Sequence, residues 1–468
     1  MAGITSAGVG SGLDLESIIS ATIAAENTPK LQALSKKKTS LDVSISGYGA
    51  VKSAYSNLQS IAETLSKSTT FAQRTAKIAQ PEGTTYFSAT TSNTTSVGSY
   101  NIEVTSLAKG SRAVSQAGSF ATGSDVVSAS GGTMTFTAGT KTFDLTVAAG
   151  TTLVQLRDQI NSNAANFGLS ASIINTGGAS SEARFVLAST ETGQGNDISV
   201  TGSSAEFNKL VTSSAFGLTP GMQIAPADQA TDAVITIDGI ESRSKSNVFS
   251  SAIQDLTLTV SKTTPAATPI NLKVDTDKDS VKKSIQSFID NFNKVVTVIN
   301  EQTAVGGALQ SDASVKFLKN SMVRMLGMES TGTGNIKTLY DLGIKLEKDG
   351  KISFNSSAVN TLDEALTNSF DNVGKFFSTT DTGLASVFKA DADKVLASDG
   401  MFKKATDVLN ERLKGVKKDT DNHNYRMDQL EKRLREQYTQ LDVTIAKMRA
   451  TGNYVSAQLS NLPGFTKK

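Results

Sequence analysis

Two spacings of apolar residues divide this chain. From Leu31 the apolar positions run Leu31, Leu34, Leu41, Ile45, Tyr48, Tyr55, Leu58, Ala62 and Leu65, mostly three, four or seven apart. That spacing predicts an amphipathic helix with a coiled-coil-like seam, interrupted where Lys38 and Lys52 fall on it. Ile18, Ile19, Thr22 and Ile23 form a shorter stripe ahead of it, and Pro29 predicts a break between the two. The far end repeats the pattern at greater length. Leu409, Leu413, Val416, Thr420, His423, Met427, Leu430 and Leu434 alternate in fours and threes. After one extra step of four, Tyr438, Leu441, Ile445, Met448, Gly452, Val455, Leu459 and Leu462 continue the seam, and Pro463-Gly464 ends it. The extra step is a stutter, which unwinds a supercoil locally without ending the helix.

Between these ends the period falls to two. Residues 100–107 (YNIEVTSL) and 141–147 (KTFDLTV) alternate as half-buried strands do. A helix follows, with Thr151 or Thr152 as N-cap, Leu153, Leu156 and Ile160 on one face and Gly168 at its end. Strands at 169–174 and 184–188 then complete a predicted β-β-α-β-β unit. A second strand cluster opens at residue 233, where VITIDGIES predicts a hairpin turning on Asp238-Gly239, and closes with strands at 256–261 and 269–274. The Gly- and Ser-rich stretches 117–132 and 201–231 are expected to be loops. Past Asp275 the helical period returns, with Val281, Ile285, Phe288, Ile289, Phe292, Val295, Val296 and Ile299 covering one broad face. Val315, Leu318, Met322 and Met325 predict a second helix closed by Gly327. A hairpin on Asp349-Gly350 precedes a third, through Leu362, Leu366, Phe370 and Val373.

Composition narrows the function. The 468 residues suggest about three domains on the usual size prior. Cysteine is absent and His423 is the one histidine, so disulfides, thiolate metal sites and multi-histidine sites are excluded. Net charge is +2 with both signs interleaved, which argues against a nucleic-acid binder. The opening residues lack the basic and apolar regions of a secretory signal, and no run of eighteen apolar residues is present, so membrane insertion is not expected.

Three segments imitate chemistry. Gly8, Gly10 and Gly12 resemble a phosphate loop, but no strand precedes them and no Gly-Lys-Ser/Thr follows. Asp275, Asp277 and Asp279 have the spacing of a calcium loop, but Ser280 and Gln286 stand where glycine and a bidentate glutamate are needed. A helix N-terminus accounts for Asp279 better. His423 lies on the helix seam without a converging carboxylate or hydroxyl, which suits helix packing or pH tuning rather than catalysis. Arg426, Lys432, Arg433 and Arg435 are interleaved with Asp428, Glu431 and Glu436, the pattern of a solvated helix face. No enzyme and no cofactor is expected.

Several phrases resemble one family, the flagellar filament cap or hook-associated protein 2 family. They are GVGSGLDLESII at 8–19, YGAVKSAYSNLQ at 48–59, GSYNIEVTSLAKG at 98–110, VKKSIQSFIDNFNKVV, GALQSDASVKFLKNSMVRML, LYDLGIKLEKDGKISF and QYTQLDVTIAKMRATGNYVSAQL at 437–459. The segment from Thr151 to Asn175 is similar to a module found in hook-associated proteins and flagellins.

The resemblance implies an α+β multidomain fold: paired N- and C-terminal coiled-coil-like helices, a helical leg and two inserted β-rich head domains. The expected division is 1–42 with 430–468 as terminal arms, 43–75 with 276–429 as leg, 76–110 with 228–275 as first head and 111–227 as second. It also implies export through the flagellar type III channel, a homo-oligomeric ring at the filament tip, and promotion of folding and polymerisation of arriving flagellin. Further implied partners are an export chaperone before secretion and the hook–filament junction protein before filament growth. Filament docking is expected on Leu31, Leu34, Leu41, Ile45, Leu430, Leu434, Leu441, Ile445, Leu459 and Leu462, with the Leu31–Ile45 seam complementing the Leu434–Leu459 one. Two other readings stay open: a junction or flagellin-like axial protein, and a tip adhesin binding mucin or host surface.

Overall fold

The computed structural model describes residues 12, 14–177, 182–331, 334–355, 358 and 360–460. Gly8, Gly10, Leu462, Pro463 and Gly464 lie outside them. The helices are α1 (Leu15–Leu65), α2 (Ser68–Phe71), α3 (Leu153–Ser162), α4 (Lys278–Thr303), α5 (Ala313–Leu326), α6 (Leu362–Asn368), α7 (Phe370–Ser378), α8 (Leu384–Leu396) and α9 (Met401–Ser460). The chain divides into a helical unit, Met1–Phe71 with Lys278–Lys468, and a β-rich unit, Ala72–Asp277, which alone contains α3.

The helical unit is organised on α1. Asp14 caps it, accepting from the Ser17 amide at 3.0 Å. Contrary to the expected break, α1 runs unbroken through Pro29. Proline removes one backbone hydrogen bond, but its exposed ring lies off the packed face, and the stripe resumes beyond it with Leu31 and Leu34. The C-terminal half of α1 packs on α4, α8 and α9. α4 buries the predicted face in full, and its Phe288 meets Phe388 of α8 edge-on at 5.3 Å. The Tyr55 hydroxyl donates to Asp391 of α8, and that of Tyr48 to Asp312, the carboxylate that caps α5 by accepting from Ser314 and Val315. Burial and the neighbouring carboxylates push both phenols far above their ordinary pKa. α8, through Leu384, Ala385 and Phe388, completes this core and has no counterpart in the sequence reading. The helix expected through Leu362 and Val373 is two, because Ser369 leaves the helical backbone between them (φ −143°, ψ 36°).

Among the described residues, fifteen strands lie between α2 and α4: β1 (Arg74–Ile78), β2 (Phe87–Thr91), β3 (Gly98–Ser106), β4 (Gly110–Ser115), β5 (Gly132–Ala138), β6 (Lys141–Val147), β7 (Leu169–Asn175), β8 (Ala183–Thr192), β9 (Ile198–Gly202), β10 (Met222–Gln223), β11 (Ala233–Ile237), β12 (Ile240–Ser244), β13 (Val248–Ile253), β14 (Leu256–Val260) and β15 (Ile270–Thr276). Two more, β16 (Ile344–Leu346) and β17 (Ile352–Phe354), form the Asp349-Gly350 hairpin of the helical unit.

In the β-rich unit, the sheets β1-β15-β3-β11-β12 and β13-β14-β2 enclose one core built on Phe87, Ile102, Ile235, Leu258 and Leu272. The Asp238-Gly239 turn has φ of 48° and 87°, the left-handed pair its tight hairpin requires. The sheets β10-β4-β8-β7 and β6-β5-β9 join α3 around a second core, drawn from residues between Ala113 and Met222. α3 starts on a capping box, in which Thr152 and Gln155 each accept the other's amide.

Two expectations change here. The first strand of the β-β-α-β-β unit is β5, not the 100–107 strand, which is part of β3 and pairs with β15 and β11. The Gly131-Gly132 step had hidden the start of β5 in a presumed loop. And α3 ends at Ser162, with Gly168 instead turning the chain into β7 at φ +116°.

Candidate assembly surface on the terminal helices

Heptad spacing on α1 meets heptad spacing on α9. Tyr48 packs on Phe402 edge-on at 6.3 Å. One layer further along, Leu41 and Leu34 bury against Val416 with Leu409 and Leu413. The next layer is polar: His423 is buried, its Nε2 2.9 Å from Asn27 Oδ1. Beyond it Arg435 grips Glu16 with both terminal nitrogens, one at 2.7 Å, while its Nε donates to Glu431 at 2.9 Å. These carboxylates raise the Arg435 pKa still further above its usual value. Residue numbers rise on α1 as they fall on α9, so the pair is antiparallel and in one register throughout.

Leu34 and Leu41 are buried, and Leu31 and Ile45 are half-buried. The partners of Leu34 and Leu41 are Leu409, Leu413 and Val416, not the Leu434–Leu459 seam expected to complement them, and Leu31 lines a groove with Leu413 and Val416. An antiparallel pair with Tyr48 anchored on Phe402 sets that register, and α9 is long enough to continue past it. Leu430, Leu434 and Ile445 are half-buried, beside the turns where Arg435 holds Glu16. Leu441 and Leu459 are exposed, 44% and 50%, and with Met448, Tyr454 and Val455 they present an apolar stripe to solvent. Leu462 lies outside the described residues. The sequence reading placed His423 on the seam; the Asn27 that meets it carried no sequence signal, since it is a polar residue within an otherwise polar turn.

Among the described residues, no cluster of acidic, histidine or cysteine side chains is placed to hold a metal, and no helix is long and apolar enough to cross a membrane.

Comparison with known proteins covers nearly the whole chain. Residues 11–111 match the flagellar hook-associated protein 2 N-terminal family and residues 230–450 its C-terminal family. Residues 133–191, the span of β5 through β8, match the flagellin hook IN motif. The chain is 33% identical to flagellar hook-associated protein 2 of Aeromonas caviae, over 96% of this chain and 97% of that one. It is 32% identical to the A-type flagellar hook-associated protein 2 of Pseudomonas aeruginosa, over 98% of each. The crystal structure of three domains of the flagellar cap protein from Escherichia coli superposes with a TM-score of 0.62 at 27% identity, covering 78% of this chain and 99% of that one.

Proposed function

Since the chain belongs to the flagellar hook-associated protein 2 family, a family of structural proteins of the flagellum and not of enzymes, we propose that it caps the distal tip of the flagellar filament. In this reading several copies form a ring, and flagellin delivered through the flagellar type III channel folds and polymerises beneath it. The export chaperone acts before secretion and the hook–filament junction protein is the first surface met. Adhesion to mucin or host surface is not favoured, since the sequence has no tryptophan to stack on a sugar. The observation that carries the reading is the α1–α9 pair, held by α1 for much of its length yet ending in the exposed stripe at Leu441, Met448, Val455 and Leu459. Such a stripe supports docking on the helical ends of other axial subunits.

The test is a Leu441→Asp/Leu459→Asp variant. Both side chains are exposed in the free chain, so the substitutions leave the fold intact, whereas each carboxylate is strongly unfavourable once buried in a docked seam. The expected result is a soluble, folded protein, short filaments and unpolymerised flagellin in the medium. Filaments of normal length would overturn docking through this stripe.

A further inference from the structure

Pairing α1 with α9 gathers charge that the sequence keeps apart. Residues 30–42 of α1 hold Lys30, Lys36, Lys37 and Lys38 against Asp42 alone. Residues 408–420 of α9, which the antiparallel register sets beside them, hold Arg412, Lys414, Lys417 and Lys418 against Glu411 and Asp419. This paired stretch therefore carries a net charge of +5 in a chain whose total is +2. Within it a groove of about 590 Å³ runs between the two helices, lined by Leu31, Leu34, Leu413 and Val416, with Lys38, Lys414 and Lys417 beside them. Asp421 stands at one end.

Lys38 pairs with Asp42 and Lys414 with Glu411, each at 2.7 Å along its own helix. Both are exposed surface pairs of the kind that contribute little and exchange partners readily. Lys417 makes no ion pair among the described residues.

We propose that this groove docks an amphipathic helix of a partner protein, one whose apolar stripe is bordered by Asp and Glu. Two antiparallel helices leave a flank on which a third can pack at 8–10 Å, burying leucines that the pair alone leaves half covered. The lined stretch of α1, eight residues from Leu31 to Lys38, is about two helical turns long, which suits apolar anchors at i, i+3 or i+4 and i+7. Carboxylates flanking those anchors would meet the lysines. A nucleic acid would use the charge but has no need of the leucine lining. A membrane surface engages a protruding apolar face, not a cleft between two helices. The inference deepens the capping reading, on which it rests for its setting, by naming the chemistry of a partner for the terminal helices.

The test uses the full chain and a stapled three-heptad helix with leucine at its a and d positions and glutamate at e and g, against a twin with lysine at e and g. Fluorescence anisotropy should show the glutamate helix binding at least about tenfold more tightly than its twin, with the preference shrinking as salt rises. A Lys38→Glu/Lys414→Glu/Lys417→Glu variant should lose at least about tenfold in affinity for the glutamate helix, since like charges then face each other, while Lys282→Glu on α4 changes nothing. Circular dichroism checks that the variants keep their helix content, and Lys417→Glu alone serves if the triple variant does not fold.

Equal binding of the two helices, or unchanged affinity in a folded Lys→Glu variant, overturns the proposal. So does a short random DNA duplex that binds as tightly and competes, and so does self-association that the same variant abolishes, which would make a second copy the occupant. Filament growth is scored separately with the Leu441→Asp/Leu459→Asp variant, so failure of either idea leaves the other standing.

Discussion

Two tyrosines on α1 decide how the helical unit responds to alkali. In an unfolded chain a tyrosine loses its proton near pH 10. Folded, Tyr55 sits buried with its hydroxyl on Asp391, and Tyr48 donates to Asp312, so neither phenol ionises until far higher pH. Above pH 10 the unfolded state therefore holds fewer protons than the folded one, and unfolding becomes easier as pH rises. Their contribution is fully present below pH 10 and is lost above it. Urea midpoints of the helical unit should be flat from pH 7 to 9 and fall steadily beyond pH 10. Tyr55→Phe should cost about 1–3 kcal/mol at pH 7, because Asp391 loses its donor, and should flatten the alkaline fall. An unchanged alkaline slope in that variant would show that these phenols do not control it. At the same scale, Gly110 marks a close approach that the sequence alone could not disclose: a Cβ there would lie 1.9 Å from the carbonyl oxygen of Ser189. Its place at the end of the GSYNIEVTSLAKG phrase is thus set by a strand remote in sequence.

At the level of elements, hydrophobic period was legible and punctuation was not. The α4 face, the close of α5 at Gly327, the β6 and β7 strands and the Asp238-Gly239 hairpin follow from spacing and turn chemistry, which act within a few residues. Pro29 does not break α1, because tertiary packing decides whether a local breaker is obeyed. On α1 the exposed ring of Pro29 is tolerated while the buried stripe carries the helix across it. Replacing it should show what that tolerance costs. Pro29→Ala restores a backbone hydrogen bond in a helix interior, where proline is worse than alanine by up to about 3 kcal/mol. Amide hydrogen exchange over residues 24–30 should slow by one to two orders of magnitude, about 1.4 kcal/mol for each factor of ten. Exchange as fast as in the parent would mean that the helix there is held by packing alone. Of the candidate docking positions, the sequence showed that they form seams; which seam meets which depends on the antiparallel register fixed by Tyr48, Phe402, Asn27 and His423, and no single-helix periodicity contains that.

On the scale of the whole molecule, the expected inserted segment 111–227 begins and ends side by side. Lys109 and Thr231 exchange both amide hydrogen bonds, each 3.1 Å, so the chain leaves and re-enters the first β core through one bridge. We expect residues 111–227 to be replaceable by a short Gly-Ser linker without loss of the helical unit or of the core built on Phe87 and Leu272. One cooperative thermal transition should survive the deletion, and the excised segment, with its own core and α3, should fold separately. A deletion protein that melts without cooperativity would show that the two β cores form one folding unit.

The length of α9 has a mechanical consequence. Its first turn is clamped by Phe402 in the core of the helical unit, and from there to Ser460 it rises about 87 Å at 1.5 Å per residue. No proline interrupts those residues. Layers at Val416, His423 and Arg435 tie it to α1, so the two helices tilt as one pair: a tilt of about 4° at Phe402 carries the far end of α9 about 6 Å, roughly one helical turn. A small repacking of Phe402 against Tyr48 and Tyr55 would be amplified into a displacement of Val455 and Leu459 by about one helical turn.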